Sequence, residues 1–92
     1  MVWLTGGWIG QTRENILEII ISKKGEITLI RDRVDVKHLG YTATTVGEDT
    51  MEINIQDETN VYGSARLALL ADGRLLFSTD EIEIVMERVG DR

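Results

Sequence analysis

Apolar residues recur at every second position along almost the whole chain. A repeat of two is the spacing of side chains on one face of a β-strand, so this pattern limits the fold more than any other feature. Strands are expected at Val2–Ile9, Ile16–Ser22, Glu26–Arg31, Tyr41–Val46, Met51–Gln56, Gly63–Leu70, Arg74–Thr79 and Ile82–Val89. About eight short strands at regular spacing mark an antiparallel barrel or sandwich. The stretch TRENILEII, with Thr12 as a candidate cap, is the one place open to a helical reading. Its β-branched run Ile19-Ile20-Ile21 and the turn directly after it favour a strand.

Parity makes the pairing explicit. Leu17, Ile19 and Ile21 share one face, as do Ile27 and Leu29. A two-residue loop at Lys24-Gly25 would set apolar residues opposite polar ones, whereas the three-residue loop Lys23-Lys24-Gly25 pairs Ile21 with Ile27 and Ile19 with Leu29. Gly25 then takes the left-handed position of a type I turn with a G1 bulge. Ala71-Asp72-Gly73 repeats this solution, setting Leu69 opposite Leu75 and Leu67 opposite Phe77. The turn through Gly47, Glu48, Asp49 and Thr50 also reads as a hairpin, with its register left open. The expected architecture is all-β: a small antiparallel up-and-down meander barrel, with a flattened sandwich as its variant.

The inward face is expected to hold Leu4, Trp8, Leu17, Ile19, Ile21, Ile27, Leu29, Met51, Ile53, Ile55, Leu67, Leu69, Leu75, Phe77, Ile82, Ile84 and Met86. Eight strands enclose an interior just wide enough for side chains to fill, so a roomy internal pocket is not expected. Ile16, Ile20, Ile30, Leu76, Val85 and Val89 point outward by the same parity. If they adjoin, they form an interaction patch, and a homodimer follows as the simplest assembly.

Ninety-two residues make one domain, spanning 1–92, near the lower end of what folds without staples. No cysteine is present, which removes disulfides, thiolate metal sites and thiol nucleophiles; no proline is present, which leaves turns to Gly, Asp, Asn and Ser. The formal net charge of −6 opposes binding to nucleic acid or to an anionic membrane surface. The opening MVWLTGGWIG has neither the basic region nor the long apolar run of a signal peptide, so a cytoplasmic location is the expectation.

Trp8 shares its parity with Leu4 and Gly6 and so faces inward, with Gly6 and Gly10 leaving room for the indole and letting the strand bend. The spacing Leu4-x-Gly6-x-Trp8-x-Gly10, at the head of an antiparallel meander, resembles the first strand of the lipocalin-like (calycin) barrels. The resemblance implies that Trp8 plugs one end and that an arginine late in the last strand, here Arg88, stacks across it. Gly6, Trp8 and Arg88 would thus form a structural closure. It also implies a small apolar ligand at the other, open end. The same spacing is similar to that of the haem-binding nitrobindin barrels, whose iron is held by a histidine near the C-terminus. The single histidine, His38, lies mid-chain, and no cofactor is expected.

Catalytic chemistry finds little to work with. His38 sits in RDRVDVKHLG, read as the longest connection after a strand, with Asp35 as its nearest carboxylate and no nucleophile beside it. Glu48-Asp49, Asp57-Glu58 and Asp80-Glu81 fall in expected loops, and none has the spacing of a calcium loop or of a phosphate-binding motif. No metal site and no enzymatic activity are expected. Trp3 faces outward by parity, while Tyr41 and Tyr62 border loops, where a rim position with a solvated hydroxyl is expected. Val34, Val36 and Leu39 would fold residues 33–40 over one barrel end as a lid. The functional expectation is a non-enzymatic barrel that binds a small apolar molecule near this segment through His38, Leu39, Tyr41 and Tyr62. The alternative is an acidic homodimeric module with a solid core, meeting its partner through Ile16, Ile20 and Ile30.

Overall fold

A computed structural model describes residues 5–56 and 61–90. Eight strands follow in order: β1 (Gly6–Gln11), β2 (Ile16–Ile21), β3 (Glu26–Arg31), β4 (Asp35–Gly47), β5 (Thr50–Gln56), β6 (Val61–Leu69), β7 (Leu75–Ser78) and β8 (Glu83–Gly90). Each pairs antiparallel with the next, and β1 pairs with β8, so the sheet closes into a barrel. TRENILEII is not helical: its apolar half is β2.

Both parity-derived hairpins have the expected registers. Ile21 faces Ile27 and Ile19 faces Leu29 across β2 and β3; Leu69 faces Leu75 and Leu67 faces Phe77 across β6 and β7. Gly25 and Gly73 carry φ of +85° and +86°, the left-handed backbone that a three-residue loop of this kind needs. The open register resolves as Gly47 opposite Thr50 and Thr45 opposite Met51, with the pairing shifting between them.

Trp8, Ile19, Ile21, Ile27, Ile53, Leu67, Leu75 and Met86 lie at the centre of the core, with Met51, Ile55, Ala65, Phe77 and Ile84 also buried. Leu17, Leu29 and Leu69 pack against this cluster but stay partly exposed. Full burial of one such side chain stabilises the fold by about 1.5–3 kcal/mol. Ile82, expected inside, is 43% exposed. It precedes β8, in a turn where the Thr79 hydroxyl accepts from the backbone N–H groups of Glu81 and Ile82, so strand parity does not extend to it. Leu4 and Trp3 lie outside the described residues.

The segment expected to be a connection and lid is part of the wall. β4 begins at Asp35 and is thirteen residues long. Its first half, Asp35 to Gly40, pairs with β3, and its second half, Gly40 to Gly47, pairs with β5. The neighbours of β4 are therefore offset along it, the stagger that closure of a tilted sheet requires. Val34 stands at the turn, 78% exposed, and Val36 points outward opposite Ile30; only Leu39 packs on the core.

Meander connectivity puts the loops alternately at two ends. One end carries the 22–25, 48–49 and 70–74 connections and the start of β1; the other carries the 12–15, 32–34 and 79–82 connections.

Candidate functional site

The first end is filled. Trp8 is fully buried and pairs with Ile19 of β2 and Arg88 of β8. The Arg88 guanidinium carbon lies 4.2 Å from the indole centroid, and Nη1 donates to the Thr5 carbonyl at 2.8 Å. Arg88 is an exposed residue, where such a contact is worth about 0.5–1 kcal/mol. Gly6 has φ of +114°, and the β1–β8 register shifts between Gly7 and Trp8. Gly10 makes room for β8 rather than for the indole: a Cβ there would stand 2.5 Å from Ile84 Cγ2 and 3.0 Å from Met86 Cγ.

Tyr41 also closes this region, which corrects its expected place on a wet rim. Its ring packs against the core and its hydroxyl donates to the Ser22 carbonyl at 2.8 Å, beneath the β2–β3 hairpin. Burial pushes the phenol pKa above its ordinary value. Leu39 lies on the same inner face, opposite Ile27. His38 does not: it sits opposite Thr28 on the outer face, exposed, with Nδ1 3.1 Å from the Thr28 hydroxyl. His38 is thus not brought together with Leu39 and Tyr41 in one site. The Tyr62 side chain lies outside the described residues.

The recess lies at the opposite end, a few residues upstream on the same strand. A cavity of about 330 Å³ is lined by Leu17, Leu29, Arg31, Asp35, Val36 and Lys37. Two rungs of the sheet build it. Leu17, Arg31 and Asp35 are successive cross-strand partners, and so are Ile19, Leu29 and Lys37. All six share the inward parity, so the core ends at two leucines and gives way to charged residues. Arg31 donates from Nε (3.2 Å) and Nη2 (2.7 Å) to a single Asp35 oxygen, Oδ2.

The turn above the recess is unusual. Asp32 and Arg33 carry φ of +53° and +63°, and Val34 N–H donates to the Arg31 carbonyl. Asp32 exchanges bonds with Ile16: its N–H donates to the Ile16 carbonyl at 2.8 Å and its Oδ1 accepts from the Ile16 N–H at 2.9 Å. Consecutive left-handed residues suit a tight hairpin but are costly for a residue such as Arg. This glycine-free turn concealed the start of β4, and with it Asp35 and Lys37 as inward residues. Carrying the parity of Leu29 and Leu39 toward each other through the turn would have found them.

A second hollow of about 350 Å³ lies on the outer face of β4–β7, lined mainly by polar side chains, including the Glu52–Arg66 pair at 2.6 Å. Among the described residues, no three His, Asp or Glu side chains converge as a metal site.

The expected interface residues do adjoin. Ile30 is directly opposite Val36, and Ile16 and Ile20 flank it diagonally on β2, all on the outer face. Glu18, directly opposite Ile30, stands in the middle of them.

The chain matches no protein-family model, and no solved structure matches it. The fold and site together define a closed eight-stranded antiparallel barrel, stacked shut at one end and recessed at the other.

Proposed function

We propose that this protein is a non-enzymatic, lipocalin-like binding barrel that takes a small apolar ligand at the mouth formed by β2, β3 and β4. The observation that carries this reading is the recess of about 330 Å³ floored by Leu17 and Leu29, within the usual range of ligand pockets of about 300–1,000 Å³. An apolar molecule covering these leucines gains about 25 cal/mol per Å² of apolar surface removed from water. The first-strand spacing and the Arg88–Trp8 stack at the other end support the lipocalin-like assignment.

Native mass spectrometry of protein purified from a rich lysate tests the reading. A monomer with a co-purifying small mass is expected, and Leu29→Trp, which fills the recess, should lose it. A monomer without adduct that also shows no NMR shift changes at Leu17 and Leu29 with 1-octanol would overturn it.

The contiguity of Ile16, Ile20, Ile30 and Val36 favours a second reading, a homodimer through the outer face. It ranks below the first because an isologous contact there would desolvate Glu18, and a buried carboxylate is costly without a partner. A clean dimer without adduct in the same spectrum would reverse the order.

A further inference from the structure

Closure of the sheet leaves one half of β4 with a single neighbour. β3 covers this strand from Asp35 to Gly40, and β5 covers it from Gly40 to Gly47. Past Gly40, the β3 side holds the Lys23-Lys24-Gly25 turn, where the Gly25 carbonyl accepts from Tyr41 N–H at 2.8 Å. Tyr41 thus points its backbone groups away from β5. Ala43 and Thr45, two and four residues on, point theirs the same way. Among the described residues, no strand meets them. We infer that residues 42–46 are a docking edge for an extended peptide that adds antiparallel to β4, with a basic residue at its start and an acidic one at its end.

Nothing in this stretch discourages such pairing. Exposed edges are normally blunted by charged side chains, by proline or by a bulge. Residues 42–46 read TATTV, all five exposed, with no charge and no proline. The register shift between Thr45 and Gly47 comes only at the far end. Threonine and valine favour extended backbone, so the edge already has the geometry a guest strand needs.

Charge decides which peptide fits and which way it runs. Exposed Glu48 and Asp49 stand at the turn beyond one end of the edge, and exposed Lys23 and Lys24 at the turn beyond the other. None of the four is in an ion pair among the described residues. An antiparallel guest continues the line of β3, so its last residue approaches the lysines and its first the carboxylates. Opposite Ala43 and Thr45 it places side chains on the inner face, where small neighbours leave room for β-branched aliphatics. The paired stretch of a second copy would carry no charge of its own, and so fits this pattern less well than a segment with charged ends.

The probe is acetyl-Lys-Val-Thr-Val-Glu-amide, titrated into the full chain at low salt and followed by amide NMR shifts and hydrogen exchange. With its lysine opposite Val46, its two valines face Thr45 and Ala43. The amides of Ala43 and Thr45 should exchange freely in the protein alone, then shift and slow as peptide is added. The charge-reversed peptide, acetyl-Glu-Val-Thr-Val-Lys-amide, should bind about two- to fivefold more weakly, the range of exposed charge contacts. N-methylation of both valines keeps the side chains, removes the donors facing Ala43 and Thr45, and should abolish the shifts. Thr45→Pro should weaken binding as well, since it deletes a donor that no strand of the fold uses; retained far-ultraviolet dichroism verifies folding. Absence of shifts, or equal binding of the N-methylated peptide, would overturn edge addition. Equal binding of the charge-reversed peptide would overturn the charge-matched partner. Protection of the Ala43 and Thr45 amides without peptide would also overturn the proposal: with a dimer in native mass spectrometry the occupant is a second copy, and with a monomer it is the chain itself.

Discussion

Gly10 shows how little slack the β1–β8 contact has. Its missing side chain is the space that Ile84 and Met86 occupy. Gly10→Ala should destabilise the fold by about 1–3 kcal/mol, the cost of forcing extra volume into a packed core; urea unfolding measures it, and a change below about 0.5 kcal/mol would mean that the Ile84 side chain moves aside freely. Tyr41 makes a different prediction, one in pH. Burial holds its phenol protonated beyond its ordinary pKa of 10.0. The unfolded chain therefore loses this proton first. Stability from this source is whole below about pH 10 and is lost as pH rises through the folded value. Wild type should lose more stability than Tyr41→Phe between about pH 9 and pH 11, with the two curves parallel at neutral pH. Parallel curves throughout would mean that the ring is solvated.

The hairpins divide by what their turns are made of. At 23–25 and 71–73, loop length, glycine and facing aliphatics all demand one register, so pairing was legible from the sequence. At 32–34 nothing in the residue types announces a left-handed turn, because Asp32 and Arg33 supply what glycine usually does. Sequence alone therefore places this strand from Tyr41, whereas β4 begins at Asp35, and Asp35, Val36 and Lys37 of the recess fall in an apparent connection. The turn is held from outside, by the reciprocal bonds of Asp32 with Ile16. Arg33→Gly should therefore stabilise the protein by about 0.5–1 kcal/mol, since left-handed backbone costs other residues about 1–2 kcal/mol and glycine returns part of that as chain entropy. Asp32→Gly should do the reverse, because it also removes the acceptor for Ile16 N–H. Melting temperatures separate the two; a loss of stability in both would mean that the turn is not under strain. Side-chain caps recur at other turns too. Thr12, Ser22 and Asp72 each accept a backbone N–H two residues ahead, so a chain without proline has threonine in a role that glycine, aspartate, asparagine and serine were expected to fill.

Across the described residues, every strand pairing but one joins neighbours in sequence, and the remaining one joins β1 to β8. Trp8 and Arg88 meet across that seam, where Arg88 also reaches the carbonyl of Thr5, 83 residues away. Trp8→Ala should cost about 3–5 kcal/mol, as for other large aromatics removed from a core, and a loss under about 1 kcal/mol would contradict its burial. The seam also implies an order in time. Each hairpin closes over a short loop, whereas the seam must gather nearly the full chain, at about 0.6 kcal/mol of entropy for every doubling of loop length. Curling of the sheet should precede its joining. The loss in Trp8→Ala should then appear chiefly as faster unfolding, with the folding rate little changed. Equal slowing of folding in stopped-flow chevrons would mean that the ends meet before the barrier is crossed. A protein built this way is fastened by one late stitch between its first and last strands, and that stitch is also the first place from which it would unravel.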